Sequence, residues 1–173
     1  MKKARTPNSD LSLGKRTASP QKGGARTDCA EPADLAQRLL AVLREVTGIV
    51  DLDYDEEGDI AVRFGSALIF IFQPGDASYV RLYSPLALNV RESRRLLARL
   101  NEFNAGTGHM HFFHRDESVH AMAEIPAMPF VADHFALALR QFSKTADGIH
   151  DLLEAEFSGN IPYSEVMPNR LRH

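Results

Sequence analysis

The sequence lacks tryptophan, has a single cysteine and contains no long hydrophobic run. Because spanning a bilayer requires roughly 20 consecutive apolar residues, we expect no membrane-spanning helix. A lone Cys29 excludes an intramolecular disulfide framework and favours a reducing, cytoplasmic environment. The N-terminus is charged and has no hydrophobic segment, so we do not expect a secretory signal.

Common signatures of catalysis and nucleotide binding are also missing from the sequence. It contains no G-x-S-x-G, no P-loop and no G-x-G-x-x-G. Two adjacent carboxylate pairs, Glu56-Glu57 and Asp116-Glu117, fall in predicted turns, where solvated carboxylates are poorly suited to acid–base catalysis. We therefore expect a protein that is not an enzyme and that binds no cofactor.

The histidines are the side chains that could bind a metal. His109 and His111 are predicted on one strand face, with His114 at the following turn and His120 on the partner strand. Converging imidazoles could bind zinc together with a carboxylate such as Glu124. Because the phases of these histidines differ, we predict solvent-facing side chains and no metal site. A histidine-dependent metal enzyme is kept as the less favoured alternative.

Basic and acidic residues are unevenly distributed. Residues 1–28 hold seven Lys or Arg against two Asp, a net charge of +5, whereas the rest holds 13 basic and 21 acidic residues, a net charge of −8. An acidic body argues against nucleic-acid binding by the folded part, since phosphates require a cationic face. The basic leader could still contact nucleic acid or a membrane surface, and a regulator acting through it is a second hypothesis.

Composition divides the chain into three parts. Residues 1–30 are rich in Lys, Arg, Ser, Thr, Gly and Pro and are predicted to be a disordered leader, since they cannot bury enough apolar surface to fold. Residues 31–160 are predicted to form a single domain with its own core. Residues 161–173 contain two prolines and are predicted to be an irregular tail.

The stretch 59–72 organises the predicted domain. Its first half alternates between apolar and other residues, as in a strand with one buried face. Gly65-Ser66 supplies the turn of a tight hairpin, and residues 67–72 are apolar at every position. Such a strand must be covered on both faces. We expect a helix of the same chain on one face, and a second layer, a twin subunit or a client on the other.

Two helices are predicted before and after the first group of strands. The first opens at Pro32 and closes at Gly48, positions that suit these residues at helix ends. The second is predicted over 90–104 with Asn89 as its N-cap. Its buried stripe is predicted to be Leu96, Leu97, Leu100 and Phe103.

The remaining elements are shorter strands and a long final helix. Besides the hairpin, strands are predicted at 49–54, 79–83, 110–113 and 119–125. Apolar residues at helical spacing then run from Phe130 to Phe157, and Gly148 either kinks one helix or separates two. The predicted order is α-β-β-β-β-α-β-β-α, an α+β fold in which helices flank an antiparallel sheet.

Five short segments mark turns, strands and helix ends of the predicted domain: Glu57-Gly58-Asp59-Ile60, Gly65-Ser66, Val80-Arg81-Leu82-Tyr83-Ser84-Pro85-Leu86, Leu100-Asn101-Glu102-Phe103-Asn104 and Ile125-Pro126-Ala127. These segments resemble the YbjN-like branch of the type III secretion chaperone (CesT-Tir type) superfamily. The resemblance covers residues 33–158 and implies the type III secretion chaperone-like fold. It also implies a bacterial peptide-binding chaperone or sensory transduction regulator, often dimeric and without catalytic residues.

We therefore predict a cytoplasmic, non-enzymatic module that binds a peptide or protein client and forms a homodimer. The predicted partner-binding residues lie on the exposed side of the sheet and are Leu68, Phe70, Phe72 and Tyr83. Because a one-residue change of register inverts every side chain, the set that faces the partner stays open. The sequence also leaves open whether the apolar strand serves dimerisation or client binding.

Overall fold

The structure, a computed structural model, describes residues 32–73, 75 and 78–157. The predictions of a disordered leader at 1–30 and an irregular tail at 161–173 fall outside these residues. The elements are α1 (Pro32–Thr47), β1 (Ile60–Phe64), β2 (Ala67–Phe72), β3 (Tyr79–Ala87), α2 (Arg94–Gly106), β4 (His111–Arg115), β5 (Ser118–Pro126) and α3 (Ala132–Phe157).

The strands form one antiparallel sheet in the order β1-β2-β3-β5-β4. Two hairpins, β1–β2 and β4–β5, flank β3, which pairs with the second strand of each. Strands β1 and β4 are therefore the edges of the sheet. This arrangement confirms the predicted α+β fold with an antiparallel sheet and helices.

All three helices pack on the same face of the sheet. One core cluster joins Leu39 of α1, Leu96 of α2 and Phe135 of α3 to strand residues such as Ile69 and Leu82. We call the opposite side the open face, because none of the described helices covers it. The prediction that β2 is apolar on both faces is confirmed, and its two faces have different surroundings.

The predicted strand at 49–54 was wrong. This segment is irregular and lies against α1 instead of joining the sheet. The Arg44 guanidinium donates to the Leu52 carbonyl oxygen from Nε at 3.0 Å and from Nη2 at 2.8 Å. The Tyr54 hydroxyl donates to the Ala36 carbonyl at 3.0 Å. The Leu52 carbonyl thus has hydrogen-bond donors in α1, so it does not need a neighbouring strand as its partner.

Helix α2 begins later than predicted, and Ser93, not Asn89, is its N-cap. The Leu96 amide donates to Ser93 Oγ at 3.1 Å, whereas Asn89 has a left-handed backbone conformation (φ +58°) in the preceding loop. Leu97, predicted in the buried stripe, is 45% exposed. It lies about 100° around the helix from Leu96, which points into the core.

Strand β3 continues beyond the predicted end at residue 83. The pairing includes Ser84–Ala87, and Pro85 lies opposite His120 of β5. The register then shifts between Pro85 and Ala87. A proline inside a sheet is tolerated at such an irregularity, because it has no amide hydrogen to pair there.

Helix α3 is one continuous helix of 26 residues that passes through Gly148. A glycine costs about 1 kcal/mol inside a helix. Burial of Ala146 and Ile149, which lie before and after Gly148 in the helix, offsets that cost. Phe130 and Val131 precede the helix instead of belonging to it. None of the described helices is long and apolar enough to cross a membrane.

The β1–β2 hairpin is attached to α3 at its turn. Gly65 has φ +71°, and Ser66 Oγ donates to Asp147 Oδ1 at 2.6 Å. Ser143 Oγ donates to the Phe64 carbonyl at 2.6 Å. A Cβ added at Gly65 would lie 2.6 Å from Asp147 Oδ2, so glycine is required both for the turn and for the close approach to α3.

Gly65→Ala should lower the free energy of unfolding by more than Gly58→Ala. Both glycines have positive φ, which costs an L-residue about 1–2 kcal/mol. An added Cβ meets nothing within 4 Å at Gly58, whereas at Gly65 it displaces Asp147 from its bond to Ser66. Urea unfolding of both variants measures the difference. Equal losses would show that the contact with α3 does not require glycine.

Candidate functional site: the open face of the sheet

Six partly exposed side chains form a continuous apolar surface on the open face. Cross-strand register brings them together: Phe70 lies opposite Tyr83, Tyr83 opposite Met122, and Phe113 opposite His120. Their strands are β2, β3, β5 and β4 in turn. We call this surface the aromatic patch and define it as Phe70, Phe72, Tyr83, Phe113, His120 and Met122.

The rings of the patch are in mutual contact. Tyr83 lies 6.2 Å from the ring centroids of both Phe70 and Phe72, which are 6.4 Å from each other. The His120 ring stacks on Tyr83 at 5.4 Å and lies 5.3 Å from Phe113. Such ring pairs favour one another beyond simple burial, so the patch is a pre-organised surface on rigid strands.

Of the four predicted partner-binding residues, the structure brings Phe70, Phe72 and Tyr83 together. Leu68 shares their face by alternation, but it is only 2% exposed, so its predicted exposure was wrong. Arg63 lies opposite it on β1, and Leu68 lines a cleft at this end of the sheet. A client on the patch would therefore have little access to its side chain.

Phe113, His120 and Met122 belong to the patch but were not among the predicted site residues. The alternation within β5 puts His120 and Met122 on one face and Val119 and Ala121 on the other, and this signal is present in the sequence. Their proximity to Tyr83 depends on β3 pairing with β5, a long-range pairing that local alternation does not specify.

His120 is hydrogen-bonded on both ring nitrogens. Its Nε2 lies 3.3 Å from the Arg115 carbonyl, which can only accept, so Nε2 carries the hydrogen. Nδ1 then accepts from the Tyr83 hydroxyl at 2.7 Å. Burial lowers the pKa of His120 and raises that of the Tyr83 hydroxyl. The described arrangement therefore holds a neutral imidazole inside the patch.

Charged groups border the patch. Arg81 Nη2 donates to Glu124 Oε1 at 2.7 Å and to the Tyr79 hydroxyl at 3.1 Å, and its guanidinium lies 5.5 Å from the Tyr79 ring centroid. Arg63 and Arg115 are exposed at the edges of the same face. An apolar centre with a polar border is the anatomy of a protein–protein contact surface.

The other histidines are not grouped around one point. His109 precedes β4, so its predicted place on a strand was wrong. His111 is on the open face, whereas His114 lies within β4, not at the turn, and its side chain bonds the Val90 carbonyl at 2.7 Å on the helix side. Across the described residues, no three His, Cys, Asp or Glu side chains are grouped so as to hold a metal ion.

A cleft of about 260 Å³ lies between the β1–β2 turn, the end of β3 and α3. His150 Nδ1 donates to the Leu86 carbonyl at 2.6 Å, and Ser66 is bonded to Asp147. Neither pair is a serine–imidazole pair of the kind that activates a serine nucleophile. The patch is therefore the stronger candidate for a functional site.

Comparison with protein families places this chain in a known family. A family model described as T3SS (YopN, CesT) and YbjN peptide-binding chaperone 1 matches residues 33–165. The chain therefore belongs to this family of type III secretion system and YbjN chaperones. None of the curated proteins matches the chain.

Solved structures with the same fold include the Yersinia pestis type III secretion chaperone SycH and YbjN. A chain of the ExsC–ExsE complex has a TM-score of 0.56 at 20% identity, over 69% of this chain and 96% of that one. A chain of the HopA1–SchA chaperone–effector complex has 0.56 at 11%, over 68% and 94%. YbjN from E. coli has 0.53 at 17%, over 71% and 96%. These similarities establish the fold.

Acidification should destabilise the protein partly through His120. Because burial depresses the pKa of the folded-state imidazole below 6.5, the unfolded chain takes up the proton first, and stability is lost as pH falls below about 6.5. Between pH 7 and pH 5, we expect the free energy of unfolding to decrease more for the wild type than for His120→Gln. Parallel pH curves, measured by urea unfolding, would contradict this expectation.

Proposed function

We propose that the protein binds an apolar peptide segment of a protein client on the aromatic patch, without catalysing a reaction. The observation that carries this proposal is the one-sided fold. Three helices bury one face of the sheet, while the other presents the contacting rings of Phe70, Phe72 and Tyr83. Clustered apolar side chains on an otherwise polar surface are typical of interaction sites.

The energetics of the patch suit a peptide ligand. Complete burial of a large apolar side chain contributes about 1.5–3 kcal/mol, and binding energy concentrates in a few aromatic anchors. The patch residues lie on paired strands and are already in contact. Their side chains therefore lose little conformational entropy when a peptide binds.

The family supports the same function. Its description names peptide-binding chaperones, and the solved structures of similar fold include a complex of ExsC with ExsE and a complex described as chaperone–effector. By analogy, the ligand of this chain would be a segment of another protein. We propose that it acts in the cytoplasm, where a single unpaired cysteine is expected.

A second copy of the chain is the other occupant that the patch could accept, and a homodimer was predicted from the sequence. Two copies meeting through their patches would bury the same side chains that a client would bury. Peptide affinity would then fall as the protein concentration rises, and light scattering would report the dimer mass over the same range.

Phe70→Asp should weaken peptide binding. Full-length protein is used to select binders from a displayed random peptide library, and their affinity for each variant is measured by fluorescence anisotropy. We expect a loss of roughly tenfold or more, since removing an aromatic anchor typically costs about 2 kcal/mol. Phe70 is partly exposed, so the variant should retain its fold, which circular dichroism would check.

Leu137→Asp is the matched control, because it puts the same charge at an apolar residue of α3 that is 54% exposed. Its peptide affinity should equal that of the wild type. Peptides that lose affinity with Leu137→Asp and keep it with Phe70→Asp would move the binding site to the helix side and overturn the proposal.

A further inference from the structure

The cleft beside the β1–β2 turn opens where β2 and β3 stop pairing. Residues 70–72 of β2 pair with residues 81–83 of β3, although β2 begins at Ala67 and β3 continues to Ala87. The cleft of about 260 Å³ lies between these remaining parts of the two strands, and α3 forms its other wall. Its lining includes no residue of the aromatic patch, so it is a separate feature of the molecule.

Pro85 explains why the pairing of β2 with β3 ends here. The Ala127 amide donates to the Ser78 carbonyl at 2.9 Å, and bonded positions alternate along a strand, so the odd-numbered residues of β3 face β2. After Tyr83, the next such position is Pro85, which the register sets opposite Leu68. Proline has no amide hydrogen. The Leu68 carbonyl therefore lies beside the cleft without the donor that a strand partner normally supplies.

Ser84 is a second polar group at this gap. It is 0% exposed and lines the cleft. In the part of the chain that the structure describes, its hydroxyl has one contact, at 3.4 Å to the Pro85 carbonyl. This distance is longer than the ~2.5–3.0 Å of an O–H···O hydrogen bond. Because a buried hydroxyl without a close partner costs free energy, a ligand atom that bonds Ser84 Oγ would be favoured.

The α3 wall of the cleft is acidic. Asp147, Asp151 and Glu154 line it, at intervals of four and three residues that put them on one side of the helix. Asp147 is held by Ser66. The lining also contains Arg63, so three carboxylates stand against one guanidinium. This excess of negative charge favours a cationic ligand.

His150 adds a further acceptor to the lining. Its Nδ1 lies 2.6 Å from the Leu86 carbonyl, which can only accept, so Nδ1 carries the hydrogen. In the neutral imidazole, Nε2 is then an acceptor. Together with the carboxylates, the Ser84 hydroxyl and the Leu68 carbonyl, it makes the cleft rich in acceptors. A positively charged group with several N–H donors is their chemical complement.

The size and the apolar walls of the cleft define the rest of the ligand. Its volume of about 260 Å³ is far more than the ~10–15 Å³ that one water needs. It is below the ~300–1,000 Å³ of pockets that hold whole small-molecule ligands. Leu68, Leu86 and Ala146 supply apolar lining, which suits a methylene stem. The cleft thus fits one elongated, aliphatic group with a charged end.

We propose that this cleft is a binding site for a guanidinium or primary ammonium group on an alkyl chain. The carboxylates of Asp151 and Glu154 balance its charge, Ser84 Oγ and the Leu68 carbonyl accept its N–H groups, and the apolar lining contacts its stem. An arginine or lysine side chain of another protein and a free alkylamine share this chemistry. The site is separate from the aromatic patch, so this inference goes beyond the proposed function and does not depend on it.

Titration of the full-length protein with n-butylguanidinium tests the site, with n-butylurea as the neutral control of the same shape. Amide shifts are followed by nuclear magnetic resonance. We expect saturable shifts at Leu68, Ser84 and Asp147, roughly tenfold weaker binding of n-butylurea because its hydrogen bonds lack the charge, and weaker guanidinium binding as salt is raised. Equal affinities for the two compounds, or no shift at these residues with tens of millimolar guanidinium, overturn the proposal.

Two variants separate the contributions of charge and of the buried hydroxyl. Asp151→Asn should weaken guanidinium binding several-fold, whereas Asp133→Asn, the same change at an exposed residue in the first turn of α3, should not. Equal affinities of these two variants would contradict the assignment. Ser84→Ala should weaken binding without lowering the urea midpoint, because the wild-type hydroxyl has no close partner. A lower midpoint with unchanged affinity would show that Ser84 has only a structural role.

Two further ligands identify the source of the cation. Arginine with acetylated and methylamidated main-chain ends should bind as tightly as n-butylguanidinium if a protein side chain enters the cleft. Agmatine binding without binding of the capped arginine would assign the site to free amines instead.

Phe70→Asp distinguishes this inference from the proposed function. Since Phe70 does not line the cleft, the variant should lose peptide affinity and keep its affinity for n-butylguanidinium. Loss of both would show that the cleft is not a separate site, whereas peptide binding to a protein that ignores the cation would retain the patch and overturn the cleft.

Discussion

The structure depends on the burial of one face of a five-stranded sheet beneath three helices. Residues as far apart as Leu39, Leu96 and Phe135 reach one core because they all pack on that face. A sheet covered on one side alone normally has a polar second side. Here the second side is apolar at its centre. Removing these apolar side chains from water is favoured by the hydrophobic effect, and this is the main physical reason to expect a partner.

A few polar contacts between the strand ends and the helices fix the position of the sheet relative to the helices. Ser66 and Asp147 fix the β1–β2 turn against α3, while Asn104 fixes β4 against α2. Both contacts are made by short side chains, which lose little rotamer freedom when ordered. The strand ends are thereby held in place, and the relative positions of the patch rings follow from the register between the strands.

Local sequence patterns predicted most of this fold, and contacts outside those patterns account for the missed irregular segment and for half of the patch. Alternation in residues 60–64, the Gly65-Ser66 turn and the apolar run 67–72 were enough to define the first hairpin, because all three are local patterns. Segment 49–54 looked like another strand, yet Arg44 and Tyr54 hold it to α1. Half of the patch was missed for the same reason: the pairing of β3 with β5 joins residues about 40 positions apart.

Asn104 caps part of the β4 edge, because its side-chain amide makes both hydrogen bonds to the Phe112 backbone, and this has a consequence for self-association. A sheet with two free edges can add copies at both ends and grow without limit, as in fibrils. With β4 capped at Phe112, edge-to-edge pairing of two copies through the described strands would use β1 against β1. Such a contact would be isologous and would occupy the β1 edge of each molecule, so edge-to-edge growth would end at two. The Asn104 side chain would thereby limit edge-to-edge association of the sheet to a dimer.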